Sequence, residues 1–160
     1  MAAVWPQGAL PIFGVSMSDT ANGLWDADAV FAHWGRRVRE EVAESQETGP
    51  KVALVQERLV ELLRANGRTN AIVDWCVDAL RAAHGRLTVR ELERQTGYSR
   101  RHLSSLFRIH VGLPPKVLAG IFRFQKYYRV WAAGRPFESL VPELYEDFYD
   151  QAISLRNSGR

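Results

Sequence analysis

From Asp26 to Gly134 the apolar positions recur at spacings of three and four residues, the signature of amphipathic helices. A first helix is expected to open at Asp26 or Asp28 and run to about Gln46, with Val30, Phe31, Trp34, Val38 and Val42 on one side. Gly49-Pro50 breaks it, and Pro50 suits the first turn of a second helix. Val52, Val55, Leu59, Leu62 and Leu63 give that helix an apolar face, and Gly67 ends it. A third helix is expected from about Asn70 to Ala83, buried through Ile72, Val73, Cys76, Val77 and Leu80 and stopped by Gly85. Thr88 and Glu91 form a T-x-x-E capping box for a short helix that Gly97 ends. Ser99 caps the next, whose apolar stripe is Leu103, Leu106 and Phe107. Leu113-Pro114-Pro115 then starts a long helix, carried by Val117, Leu118, Ile121, Phe122, Tyr128 and Trp131 and closed by Gly134. Met1 to Leu24 shows no clean period. Within it, Ala9 to Ser16 reads as one short strand or an extended arm.

Two short helices around a tight turn have the form of a helix-turn-helix, whose second helix enters the DNA major groove. The face of that second helix opposite its apolar stripe carries Arg101, Ser104, Ser105 and Arg108. An arginine can bridge O6 and N7 of guanine, and a serine can donate to or accept from a base edge. Arg101, Ser104 and Ser105 are therefore candidate base readers. Arg100 and Arg108 are candidate phosphate contacts, which position without reading sequence. Lys116, Arg123 and Lys126 are weaker phosphate candidates, with Arg123 alternatively paired to a buried carboxylate. The aromatic density of the long helix admits base stacking, but aromatics at helical spacing are more often core.

Charge sharpens this. Net charge is +3, yet residues 86–135 hold eleven Lys/Arg against two Asp/Glu, a local +9, and the remainder sums to −6. A concentrated basic block beside an acidic half suggests a polyanion-binding unit joined to something else. The alternative is a solvated arginine-rich surface.

The run LTVRELERQTGYSRRHLSSLFRIHVGLPPK resembles the first helix-turn-helix unit of the AraC family of bacterial transcription regulators. RFQKYYRVWAAGR resembles the helix linking that family's two units, and Phe148-Tyr149-Asp150-Gln151-Ala152 resembles the start of its second recognition helix. Residues 13–63 loosely resemble the end of the sensor region in some members; a plain helical subdomain that packs on or dimerises with another copy is the alternative. The family pattern fails after Ala152, where His-Phe and Arg-Glu-Phe-Arg are replaced by Ile153-Ser-Leu-Arg-Asn-Ser-Gly-Arg160. Pro142 also falls inside what the resemblance makes the second unit's first helix. A frameshift is one origin for such a tail, and a natural short ending is the other. The tail is expected to fray.

The resemblance implies an all-α protein: an N-terminal helical subdomain (residues 1–68, a remnant of a sensor region) and an AraC-type DNA-binding domain (residues 69–160). The latter comprises a first helix-turn-helix at about 88–111, a linker helix at about 115–133 and an incomplete second helix-turn-helix at 137–160. The expected function is sequence-specific transcriptional regulation on double-stranded DNA, with a homodimer open to it and any small-molecule effector unspecified. The alternative is a truncated, DNA-binding-deficient interaction protein that forms mixed dimers with a full-length relative.

Other chemistry finds little support in the sequence. His33, His84, His102 and His110 lack the i, i+4 spacing of a metal set, and the single cysteine, Cys76, has no basic neighbour to make a thiolate. One DNA-repair methyltransferase type joins an AraC-like domain to a reactive Pro-Cys-His-Arg motif, which this chain lacks. No G-x-S-x-G or phosphate-binding glycine loop occurs. No enzyme activity, metal or cofactor is expected. One cysteine excludes an internal disulfide, no apolar run approaches the ~20 residues of a membrane span, and a cytoplasmic location is expected.

Overall fold

The computed structural model describes residues 6–20, 23–44, 46–67 and 69–156, with side chains omitted at 27–30, 32, 33 and 149–156. These residues are all-helical, with no strand among them. A 3-10 turn at Pro6–Gly8 leads into α1 (Ala9–Phe13), α2 (Met17–Thr20), α3 (Ala27–Glu44), α4 (Thr48–Asn66), α5 (Ala71–Ala82), α6 (Val89–Thr96), α7 (Arg100–Val111) and α8 (Pro115–Ala132). A second 3-10 turn, Phe137–Ser139, precedes α9 (Val141–Arg156).

The punctuation read from the sequence is where the backbone turns. Gly67, Gly97 and Gly112 each take a left-handed conformation at the end of a helix. Asn70 Oδ1 accepts from the backbone N–H of Ile72 and Val73 at 3.1 and 3.2 Å and so caps α5. The Thr88–Glu91 box is reciprocal: Thr88 Oγ1 accepts from Glu91 N at 3.2 Å, and Glu91 Oε2 accepts from Thr88 N at 2.7 Å. That bond to the Thr88 backbone, followed by one to its hydroxyl, holds the Glu91 carboxyl below its usual range.

The chain forms two compact units that interleave along the sequence: residues 1–77 with 99–114, and residues 78–98 with 115–160. Neither coincides with residues 1–68 or 69–160. In the first unit, α3 packs on α4, and α1 packs on both α4 and α7. Asn66 Nδ2 at the end of α4 donates to Pro11 O in α1 at 2.6 Å. Arg58 Nε of α4 reaches Glu41 Oε2 of α3 at 2.8 Å, and Arg37 Nε meets Glu41 Oε1 at 2.9 Å. Phe13 meets Phe31, which meets Trp34, at centroid distances of 5.3 and 5.0 Å. Leu10, Pro11, Ile12, Met17, Val38, Val73, Cys76, Val77, Leu103 and Phe107 are buried. In the second unit, Leu80, Leu92, Leu118, Phe122, Tyr127 and Leu140 are buried.

Four expectations are corrected. Ala9 to Ser16 is neither strand nor extended arm: it is α1 and the approach to α2, helices of five and four residues. Helices this short have no stability of their own; burial of Leu10, Ile12 and Met17 holds them, which periodicity cannot reveal. The apolar face of α4 is only partly covered, and none of its residues is fully buried. On α8, Val117, Ile121, Tyr128 and Trp131 were expected to be core but stand exposed, while Tyr127 is buried in their place. Pro142 does not interrupt a helix. It is the second residue of α9, in the first turn, where a missing N–H costs nothing. Helix α9 runs to Arg156, and the Asn-Ser-Gly-Arg end on which the expected fraying rests lies outside the described residues. Residues 157–160, Val30, Asp28, His33 and the side chains of 149–152 lie outside what is described.

Candidate nucleic-acid interface

The five sequence-selected residues Arg100, Arg101, Ser104, Ser105 and Arg108 all lie on α7, inside the first unit. Helix α6 belongs to the second unit, so α7 is described here by its own geometry. Ser99 opens it, its Oγ accepting from His102 N at 3.3 Å. Gly112 closes it at φ +80°, its N–H bonded to Phe107 O at 3.0 Å and Arg108 O at 3.1 Å. A Cβ at Gly112 would lie 3.1 Å from Met17 O and 3.2 Å from Met17 Cβ. That marks how closely α2 approaches the end of α7, against which both α1 and α2 pack.

The helix has two faces. Leu103 and Phe107 are completely buried, with Leu106 half-buried beside them. At about 100° per residue, Arg101, His102, Ser105, Arg108 and Ile109 fall on the opposite arc, and all five are exposed. Arg100 is exposed in the first turn. Ser104 sits on the shoulder between the faces and is half-buried, so the structure separates it from the other four. Ile109, 41% exposed in the middle of this polar arc, was missed by the sequence reading. The same rotation applied through the last turn would have found it.

The electrostatics of α7 favour an anion. A helix carries about half a positive elementary charge at its N-terminus, which acidic residues normally complement. The first turn of α7 holds no acidic residue and instead carries Arg100 and Arg101. That placement works against the helix and adds to the positive potential there. A helix of 12 residues is about 18 Å long, ample for a major groove about 12 Å wide. On the buried side of α7, burial holds His110 below its usual pKa, with the Asp74 carboxylate pulling the other way. His110 therefore adds little to the positive charge of α7 near neutral pH.

The weaker phosphate candidates divide. Lys116 is exposed. Arg123 is only 5% exposed and lies 5.2 Å from the Phe148 ring centroid, which removes it from phosphate reach. No ion pair to Arg123 occurs among the described residues, although burial lowers its pKa and the Asp147 charge opposes that shift. Lys126 Nζ lies 3.4 Å from Asp147 Oδ2, and Arg86 Nη2 lies 3.2 Å from Asp147 Oδ1. Tyr127 donates its hydroxyl to the same carboxylate and is also placed 3.0 Å from Glu143 O. Part of the basic block therefore fastens α9 within the second unit. Burial would push Asp147 up, but the bonds from Tyr127 and Arg86 and the charge of Lys126 outweigh it and hold the carboxyl low.

Among the described residues, no group of three or more His, Cys, Asp or Glu side chains could hold a metal ion, and no helix is long and apolar enough to cross a membrane. Cys76 is completely buried, and burial pushes its thiol up to about 11, so it is no ready nucleophile. No family model matches the chain, and neither a curated protein nor a solved structure does.

Proposed function

We propose that this chain is a sequence-specific DNA-binding transcription regulator that reads DNA with α7. The observation carrying this reading is the exposed arc of Arg101, His102, Ser105, Arg108 and Ile109 on a helix that is capped by Ser99, anchored by Leu103 and Phe107 and has arginines at its positive end. A local conflict between helix stability and sequence of this kind marks a functional site. In this reading Arg101 forks onto a guanine, Ser105 reaches a base edge, and Ile109 meets a thymine methyl group. Arg100 and Arg108 reach phosphates. The resemblance of the Leu87–Lys116 run to the AraC family's first helix-turn-helix supports the same reading.

The test is selection of bound duplexes from a random pool, followed by competition against bulk DNA at fixed salt. A regulator enriches one site and binds it ~1,000-fold or more above bulk. Binding with no enriched site would leave only a sequence-blind polyanion surface, and the reading would be lost. A second reading, an interaction protein that does not bind DNA, is favoured by the exposed apolar residues of α8. It requires no measurable binding to any duplex at low salt.

A further inference from the structure

The least expected surface of the molecule lies on α8. Val117, Ile121, Phe124, Tyr128 and Trp131 follow one another at spacings of four, three, four and three residues. At about 100° per residue they fall within a strip about 80° wide, the seam geometry of paired helices. All five are between 37% and 58% exposed. The residues that engage α9 through Arg123, Lys126 and Tyr127 lie on the other side of the helix. The chain's own α9 therefore leaves this strip uncovered. Its rings are already ordered, with Phe124 and Tyr128 stacked at 6.2 Å and Tyr128 and Trp131 tilted at 5.7 Å. Ordered aromatics lose little freedom on being covered.

Helix α9 carries a matching strip. Val141, Tyr145 and Phe148 are spaced by four and three residues and are 46%, 58% and 40% exposed, the inner side of Phe148 resting on Arg123 of its own copy. The sequence continues the same spacing at Ala152 and Leu155. Each five-position strip spans about 21 Å at 1.5 Å per residue. The two helices are opposite in charge. Apart from charges already buried or paired within the copy, α8 exposes Lys116 and Arg129, and α9 exposes Glu146. Pairing α8 with a second α8 would bring like charges together, whereas pairing it with α9 of another copy sets opposite charges along an apolar seam.

We infer that two copies of this chain form a two-fold dimer in which the Val117–Trp131 strip of α8 packs against the Val141–Phe148 strip of α9 of the other copy, and reciprocally. Such an interface is isologous and closes at two copies. It is independent of α7 and of DNA reading, and it goes beyond the proposed function.

Sedimentation equilibrium of the full 160-residue chain, without DNA, tests it. The wild type sediments as a dimer at micromolar concentration, more weakly at high salt. Trp131→Glu and Tyr145→Glu each weaken the dimer by ~30-fold or more, as loss of an aromatic anchor does. Helical circular dichroism stays at wild-type level, because both side chains are exposed. The exposed Arg129 and Glu146 provide the register test. Arg129→Glu and Glu146→Arg each weaken the dimer, and the double variant regains most of the loss. A tighter dimer on Arg129→Glu would mean α8 pairs with α8, overturning the assignment. A monomer throughout the micromolar range, a species that keeps growing with concentration, or a dimer indifferent to all four substitutions would overturn it equally. So would a strip that served nucleic acid instead, seen as Trp131→Glu abolishing DNA binding while sparing association.

Discussion

At the scale of single residues, what surrounds a position decides its importance, and two glycines with the same backbone show this. Gly85 and Gly97 both sit at φ +74°. A Cβ on Gly97 meets nothing within 4 Å, whereas one on Gly85 would lie 1.9 Å from Ala119 O. Gly97→Ala should cost only the left-handed penalty, ~1–2 kcal/mol. Gly85→Ala adds a collision with backbone that cannot step aside and should cost ~2–5 kcal/mol. Urea unfolding of both variants measures the contrast, and equal losses would contradict the close approach of residues 85 and 119. Both glycines were legible as helix stops, but the neighbour that makes one of them irreplaceable was not, since it is far away in sequence. Arg101 and Arg108 make a similar pair on α7. Arg101→Ala should cost roughly 1–3 kcal/mol on a selected site and relax its base preference, while Arg108→Ala should weaken all duplexes alike. Equal, sequence-blind losses would remove Arg101 as a reader.

At the scale of elements, the helices that declare themselves in sequence are those with their own caps and an uninterrupted period. Helices α5, α6 and α7 begin and end within one or two residues of expectation, because Asn70, Thr88 and Ser99 cap them and glycines stop α6 and α7. The exposed side of α7 was legible for the same reason, apart from Ile109 and the half-burial of Ser104. Helices α1 and α2 were not, because they exist only through tertiary burial. The faces of α8 were misassigned because a 4-3 apolar strip has the same spacing whether it is core or surface. The attachment of α9 hinges on Asp147, and pH tests it. Its folded pKa lies below the ordinary 3.8, so the stability it contributes is present above that value and is lost as pH falls through the folded pKa. Burial, followed by the bond to Asp147, raises Tyr127 to about 12 from an ordinary 10, so its contribution is complete below pH 10 and fades towards 12. Urea unfolding of Asp147→Asn should show a shallower acid limb below pH 4, what remains coming from carboxylates such as Glu91. Tyr127→Phe should flatten the alkaline limb above pH 10. Limbs as steep as the wild type's in both variants would sever these two residues from the stability of the second unit.

At the scale of the whole molecule, the governing feature is the separation of charge: +9 over residues 86–135 against −6 elsewhere. A net charge of +3 alone would predict weak, diffuse attraction to DNA. A concentrated block predicts binding whose strength is set by counterion release, about 0.9 of an ion per phosphate neutralised. The structure limits how much of the block is available. Arg123 is buried, and Arg86 and Lys126 engage Asp147, while Arg135 Nη2 lies 2.7 Å from Glu143 Oε1. Arg101 and Arg108 on α7 are exposed, as is Lys116. Three phosphates give a log–log slope of affinity against salt near −2.7, and five would give about −4.5. The slope should therefore lie between these values, measured by fluorescence anisotropy on a short duplex over a range of salt. Arg108→Ala should make it shallower by about one. A slope near zero would mean that the basic block is only a solvated surface. A slope near −8 would mean that nearly all of the local charge reaches phosphate and that the Asp147 and Glu143 pairs open on DNA.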